Sequence, residues 1–325
     1  MKEKILFVPY AFFGGKVKFL LCERVHDGKI TAFTGHVADN IDNEHFISAA
    51  RREIKEEIGL EHFRNIINTN QHFIWNNNRT KIKEHIFAIE IEPKIPQFER
   101  REMKSAQLYT LSNALSSLSY ASHKKIISRV NKMIIGKKYP KIFIVCGPSG
   151  SGKGSILSAI KGKDFYRAST ATTRPKRPGE PDLYRLFLTQ KQFDEFEKRG
   201  ELIEKFRVHG KHWYASLYRE IENPLFKGKN ILIEIDINGA KEFLKKFSNA
   251  ICIFITIPLK DIRLRLITRN PDENEKEIKR RIKTAKEEML FSKRANYVIE
   301  NRQGELSQAI AEFKKILKKE TYGTQ

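Results

Sequence analysis

Residues 142 to 155 read Ile-Phe-Ile-Val-Cys-Gly-Pro-Ser-Gly-Ser-Gly-Lys-Gly-Ser. The apolar run Ile142 to Cys146 is too short for a helix. It feeds a glycine-rich turn, and the apolar spacing of Ile156, Leu157 and Ile160 follows, so the order is strand, loop, helix. Gly147, Gly150 and Gly152 free the backbone to turn its N–H groups inward as an anion nest at a helix N-terminus. Lys153 brings a point charge to the outer phosphates of a bound nucleotide. Pro148, Ser149, Ser151, Gly154 and Ser155 complete the loop, which predicts a site for a nucleoside triphosphate, ATP first among them. The generic pattern has Ser or Thr directly after the lysine. Here Gly154 takes that place and Ser155 follows, so a magnesium ion needs partners from elsewhere in the chain.

At 325 residues the chain is long for one core and comfortable for two. Lys and Arg number 61 against 39 Asp and Glu, a net charge of +22. Polyanions are therefore attractive partners, but the basic residues are scattered and form no tail. Cys22, Cys146 and Cys252 lie in apolar runs without Cys-x-x-Cys pairing, as expected of buried thiols in a reducing compartment. The N-terminal Met-Lys-Glu-Lys lacks the shape of a signal peptide, and no apolar stretch reaches the roughly 18 residues of a membrane span. A cytoplasmic protein with no membrane partner is the expectation, and no pattern in the sequence sets an oligomeric state.

Toward the N-terminus, Ile5 to Val8 and Val17 to Cys22 predict two strands around a Phe-Gly-Gly turn, with a further short strand before Gly35. A helix is expected to begin near Asn43 or Glu44 and to stop at Gly59. On it Glu53, Glu56 and Glu57 fall at i, i+3 and i+4 and share a face. Their mutual repulsion is relieved by a hard, oxygen-seeking cation such as Mg²⁺, which in turn binds a pyrophosphate. Gln71 to Trp75 and His85 to Ile91 predict strands, and 110–117 and 122–135 helices. His36, His45, His72, His85 and His123 show no metal-ligand spacing. Gly136-Lys-Lys-Tyr-Pro140 supplies a helix stop and a proline just before the phosphate-loop strand, which places a linker at 136–140.

The stretch from Gly35 to Leu60 resembles the signature of the Nudix hydrolases, carried by Gly35, Glu44, Arg52, Glu53, Ile54, Glu56, Glu57, Gly59 and Leu60. Eight residues separate Gly35 from Glu44, a longer connection than the family's. The resemblance implies that Glu53, Glu56 and Glu57 hold Mg²⁺, or Mn²⁺ in its place. It also implies that one of them, with Glu53 and Glu57 foremost, or a metal-bound neighbour deprotonates the attacking water, and that Glu44 and Arg52 brace the loop.

Beyond the phosphate loop, Ser169-Thr-Ala-Thr-Thr-Arg-Pro-Lys-Arg-Pro-Gly-Glu180 places two arginines three apart between rigidifying prolines, a fork suited to a second phosphate. Here the chain resembles the guanylate kinases, over about 140–320. The resemblance implies that Thr170, Arg174 and Arg177 bind the GMP phosphate, with Tyr184 as a further phosphate ligand. The tyrosine pattern is displaced, because Tyr184 to Phe187 reads Tyr-x-x-Phe where the family has Tyr-x-Phe. Glu204 matches the guanine-binding glutamate, since a carboxylate accepts from guanine N1 and N2 where adenine offers no such pair. Tyr214 and Ser216 take the places of the tyrosine and hydroxyl of the base site, with Ala215 standing for a glycine. Asn230 to Ile237 predicts an apolar strand carrying Glu234 and Asp236, at whose carboxyl end ligands bind in open parallel sheets, and Asp236 matches the family's acidic position near GMP and magnesium. Arg265, Arg269 and Arg281 match the lid arginines that neutralise transition-state charge, and Asn301 matches the adenine contact.

Together these readings predict two α/β domains. One is a Nudix α/β/α sandwich at 1–135, and the other, at 141–320, is a guanylate-kinase-like parallel sheet with a lid. The expected activities are Mg²⁺-dependent hydrolysis of a nucleoside triphosphate or dinucleoside polyphosphate and ATP-dependent phosphorylation of GMP or dGMP. Two other readings share the same residues. One is a catalytically dead kinase-like binding module, against which the intact phosphate loop stands. The other is a Nudix half acting on RNA 5′ ends, which the basic balance permits although no recognition motif supports a nucleic-acid partner.

Overall fold

The structure, a computed structural model, describes residues 2–36, 52–60, 65–77, 80–95, 103–136, 139–176, 183–208, 212–247, 249–269 and 274–322. The chain divides into two compact units, one of residues 1–139 with 225–228 and one of residues 140–224 with 229–325.

In the N-terminal unit, β1 (Lys2–Phe13), β2 (Lys16–Arg24), β3 (Ile30–Thr31) and β4 (Phe33–His36) precede a helix, α1, described over 52–58. Then come β5 (Asn65–Asn77), β6 (Thr80–Glu90), β7 (Met103–Tyr109), α2 (Leu111–Ser117) and α3 (Ala121–Ile135). The seven strands form one sheet in the order β3-β2-β1-β6-β5, with β4 also on β1 and β7 on β2. Among the described residues of this sheet, β1 and β6 pair in parallel and the other neighbours antiparallel. Residues alternate across the pleat, so each strand feeds two cores. Ile5, Phe7, Leu20, Cys22, Phe87 and Ile89 pack with Ile54 and Ile58 of α1 on one face. Leu6, Val8, Phe19, Leu21, Ile86 and Ala88 pack with Ala114 of α2 and Ile126, Ile127, Val130 and Ile134 of α3 on the other. This is the expected sandwich of one sheet between helices.

The two hairpin strands after α1 run longer than the apolar pattern predicts, because the ladder between β5 and β6 carries polar residues such as Asn65 and Asn68 into the sheet. Gly35, expected after a short strand, lies within β4 opposite Ile5. The helix stops where expected: the Gly59 N–H bonds the Lys55 carbonyl at 2.8 Å and Gly59 takes φ +67°. The predicted start near Asn43 and the residue Glu44 lie outside the described residues.

The C-terminal unit opens with β8 (Ile142–Cys146), α4 (Lys153–Ser158) and β9 (Phe165–Arg167), then β10 (Thr170–Thr172), β11 (Arg185–Phe187) and α5 (Gln190–Lys198). It continues with β12 (Leu202–Val208), β13 (His212–Leu217), α6 (Tyr218–Phe226), β14 (Asn230–Glu234), α7 (Ile237–Lys246) and β15 (Ile251–Thr256). The last elements are α8 (Leu259–Arg269), α9 (Glu275–Met289), β16 (Tyr297–Glu300) and α10 (Leu306–Tyr322). Five strands form a parallel sheet in the order β16-β15-β8-β14-β9. Buried on both faces, β8, β14 and β15 read as nearly unbroken apolar runs. Because β8 is flanked by strands that come later in the chain on each side, its carboxyl end is a topological switch point, where ligands bind in such sheets. The phosphate loop begins there. β11, β10, β13 and β12 form a second, four-stranded sheet, and α8 and α9 form a helical pair.

All three cysteines are buried free thiols, with Cys146 and Cys252 Sγ 3.6 Å apart on neighbouring strands. Among the described residues no helix is long and apolar enough to cross a membrane.

Candidate functional site

In the C-terminal unit a cavity of about 1020 Å³ opens over the phosphate loop and extends to the four-stranded sheet. Gly147, Ser149, Gly150, Gly152, Lys153, Gly154 and Ser155 line one end. Pro148 and Ser151 shape the loop from within, the Ser151 N–H bonding the Pro148 carbonyl at 3.2 Å. Gly152 takes φ +86°, and a Cβ there would strike the Asn301 amide, so only glycine fits. Asn301 is buried and donates to the Ser151 carbonyl at 2.7 Å. Lys153 folds back on the loop, its Nζ 2.8 Å from the Gly147 carbonyl and 3.0 Å from that of Pro148. Arg265 reaches from α8 to the Gly150 carbonyl at 3.3 Å and the Asn301 carbonyl at 2.9 Å. Arg281 of α9 lines the same space, bonded to Glu277 at 3.0 Å. The side chain of Arg269 lies outside the described residues, as does Arg177.

The far end is built by strand register. Arg185, Thr170, Ser216 and Glu204 are directly paired across β11, β10, β13 and β12. Paired residues share a face, so these four form one row. Phe187, Thr172, Tyr214 and Phe206 form the next, with the Phe206 and Tyr214 rings stacked at 5.7 Å. Thr170, Arg174, Glu204 and Tyr214 all line the cavity, while Ser216 backs it by donating to Glu204 Oε1 at 2.6 Å. Glu204 Oε2 is buried and has no hydrogen-bond partner among the described residues.

Asp236, read as the acid at the end of β14, sits two residues beyond it and caps α7, accepting from the Gly239 N–H at 2.6 Å. The Asn-Gly that follows starts a helix, which ends the strand early. Burial pushes the Glu204 carboxyl up to about 7, and burial opposed by the Gly239 and Asn238 N–H groups leaves Asp236 at about 6. Glu288 of α9, which no motif singled out, also lines the cavity and is pushed up to about 7, chiefly by burial.

Tyr184 departs from its expected role. It precedes β11 with φ +67°, is 40% exposed, and carries the Arg167 guanidinium 4.1 Å from its ring centroid. It is not among the residues that line the cavity, whereas its neighbour Arg185 is. A one-residue step along a strand exchanges the two faces of the sheet.

In the N-terminal unit Glu53 is buried, Glu57 half-buried and Glu56 exposed. Arg52, expected to brace the loop, pairs with Glu53 at 2.6 Å and Glu56 at 2.7 Å. Glu57 faces the sheet closely enough that its charge adds to the burial raising the Cys22 thiol to about 12. Among the described residues no three His, Cys, Asp or Glu side chains converge as a metal-holding group. The three carboxylates are nonetheless hard oxygen donors, the donor chemistry of a divalent cation. Two histidines of this unit, His123 and His85, serve structure. His123 is buried with Nδ1 2.8 Å from Thr31 Oγ1, and His85 Nε2 lies 3.0 Å from Glu3.

A family model for guanylate kinase matches residues 139–320, more than half of the chain. The chain belongs to the guanylate kinase family. A NUDIX domain model matches residues 8–130, and the N-terminal unit is that domain. The guanylate kinase of Thermotoga maritima is 36% identical over 165 residues, covering 50% of this chain and 79% of that protein. A crystal structure of guanylate kinase from Anaplasma phagocytophilum is 24% identical with a TM-score of 0.46, covering 57% of this chain and 89% of that one. A binary complex of C. elegans Ap4A hydrolase is 19% identical with a TM-score of 0.37, covering 42% and 99%. A guanylate kinase domain and a NUDIX domain thus share one chain.

Arg185 and Glu288 also line the cavity, and no motif in the sequence singled either out. Arg185 was open to a different alignment, since Arg185-Leu-Phe187 keeps the spacing of the family's Tyr-x-Phe with arginine in the tyrosine's place. Glu288 carried no local signal. In the NUDIX domain Gly35 proves tightly constrained, because a Cβ on it would stand 2.6 Å from the Glu53 Cβ. Gly35→Ala is expected to displace Glu53 or β4, lower the hydrolase rate at least about tenfold and destabilise the unit by about 1–3 kcal/mol. Rate assays and thermal denaturation of the full chain check this, with kinase turnover unchanged.

Proposed function

We propose that the C-terminal unit transfers the γ-phosphoryl group of ATP to GMP or dGMP, and that the NUDIX unit hydrolyses a nucleoside triphosphate or dinucleoside polyphosphate. The kinase reading rests on one observation: a single cavity holds the phosphate loop at one end and buried Glu204 at the other, with Oε2 awaiting a donor. Guanine N1–H and N2–H supply such donors, and adenine presents a bare N1 in that position. An oxygen of the GMP phosphate attacks the γ-phosphorus, the bond to the ADP oxygen breaks, and GDP and ADP result. Arg174 and its neighbours hold the acceptor phosphate, while Lys153, Arg265 and Arg281 neutralise the charge that spreads over the transferred group. Ser155, Glu234 and Asp236 line the cavity beside the loop and would hold Mg²⁺, which when bound neutralises phosphate oxygens.

In the NUDIX unit Glu53, Glu56 and Glu57 would hold Mg²⁺, which when bound lowers the pKa of a coordinated water. Arg52 then has to give up one of its two carboxylates. Product chromatography of the full chain with Mg²⁺ and GTP, dGTP or a dinucleoside tetraphosphate tests this half. Cleavage of one of them to products with fewer phosphates is expected, and no cleavage of any overturns the substrate class.

The kinase reading also sets a pH dependence. Glu204 accepts from guanine N1–H and N2–H together only when ionised, and burial raises its ordinary value near 4.3 to about 7. GMP affinity is therefore expected to rise as pH climbs through about 7, and to fall by up to about tenfold per unit below it. Glu204→Gln removes that slope and narrows the preference for GMP over AMP, as KM against pH for both acceptors checks. Because the folded form holds this proton more tightly than the unfolded chain, its stabilising contribution is complete below about pH 4 and is lost by about pH 7. Asp236 and Glu288, also raised, act in the same direction.

A further inference from the structure

We infer that Arg185 is the residue that meets the acceptor's phosphate in the place where a tyrosine was expected. The inference rests on the acceptor reading above and extends it. Three observations carry it. Arg185 is directly paired with Thr170, which pairs with Ser216, which pairs with Glu204, so its side chain leaves the same face of the sheet as the base-binding pair. It lines the cavity at the end opposite Glu204 within that row, beside Thr170 and Arg174. Its guanidinium lies 5.6 Å from the Tyr214 ring centroid, and that of Arg174 lies 5.4 Å from the Phe187 ring centroid, so the two arginines rest on the two rings that flank Thr172 in the next row.

The row spans three strand spacings, about 14 Å between its outer members. A nucleoside monophosphate laid along it presents its base edge to Glu204 and Ser216 and its phosphate toward Thr170, Arg174 and Arg185. An arginine here changes the chemistry of the subsite. A tyrosine contributes one neutral hydroxyl, whereas a guanidinium contributes a full charge and a planar fork that matches two phosphate oxygens. The ligand class is a phosphate monoester in its dianionic form. Stacking on Tyr214 holds the guanidinium plane in place before the ligand arrives, which lowers the ordering cost of binding. Tyr184 plays no part in this subsite.

The test uses the full chain with saturating ATP and Mg²⁺, titrates GMP and counts GDP by chromatography. Arg185→Ala is expected to raise the KM for GMP about 10- to 100-fold. The KM for ATP should stay unchanged, and kcat should change less than the KM for GMP. Arg185→Lys, which keeps the charge and loses the fork, falls between. Arg185→Tyr restores partial affinity, and its KM rises less steeply with added NaCl than that of the unsubstituted protein. Tyr184→Phe leaves the KM for GMP unchanged. A normal KM for Arg185→Ala together with a raised KM for Tyr184→Phe overturns the inference while GDP formation by the unsubstituted protein stands. Equal rises in the KM for GMP and ATP assign Arg185 a merely structural role and overturn it too. No GDP from the unsubstituted protein overturns the acceptor reading itself, and this inference with it.

Discussion

Lys153→Ala is expected to lower kcat for GDP formation by about 100- to 1000-fold, with hydrolysis by the NUDIX unit unchanged. The ammonium is held by the Gly147 and Pro148 carbonyls at 2.8 and 3.0 Å. These are neutral acceptors, from which the phosphates of ATP take it over. Its charge also opposes the burial that raises Asp236 and Glu288. Removing it therefore costs twice. The transferred phosphoryl group loses a positive partner, and the two carboxylates facing it are left less compensated. Lys153→Arg, which keeps the charge on a longer and broader group, should recover little, because the loop closes around a point charge and has no room for a fork. Rapid-quench measurement of GDP formation separates this loss from a change in ATP binding.

Glu57→Gln is the second large effect. It is expected to reduce hydrolysis by at least about 100-fold while GDP formation stays intact. Glu57 is half-buried and faces the sheet next to Cys22, whereas Glu56 is exposed and ion-paired with Arg52. The amide is nearly isosteric with the carboxylate, so the fold is retained while one oxygen ligand and one negative charge are removed. Glu56→Gln should do less harm than Glu57→Gln, because Glu56 sits further from the sheet face. Hydrolysis assays of the two variants at several Mg²⁺ concentrations distinguish a lost metal ligand, rescued by more metal, from a lost base, which is not.

What the sequence made legible was local. The phosphate loop is specified within fourteen contiguous residues, 142–155, by a short apolar run, glycine spacing and a lysine, and the fold places it at the end of β8 as that order requires. The stop of α1 at Gly59 is local in the same way. The two-faced sheet of the N-terminal unit follows from alternation along β1, β2 and β6. What stayed hidden depends on partners distant in sequence. Whether Tyr184 or Arg185 faces the cavity is a matter of register between β11 and β10, and nothing within the segment fixes it. The double role of Asp236, as acid and as helix cap, depends on where β14 ends. Glu288 enters the cavity only because α9 folds back over it. The closeness of Gly35 to Glu53 joins a strand to a helix across a long connection.

The central claim is that one cavity in the C-terminal unit holds a phosphate donor against a guanine nucleotide acceptor. The most direct test is product chromatography of the unsubstituted full chain with ATP, Mg²⁺ and equal GMP and AMP in one tube. The account predicts GDP and ADP in equal amounts, with GMP consumed and AMP spared. AMP consumed as readily as GMP, or ATP turned over without GDP, would contradict it.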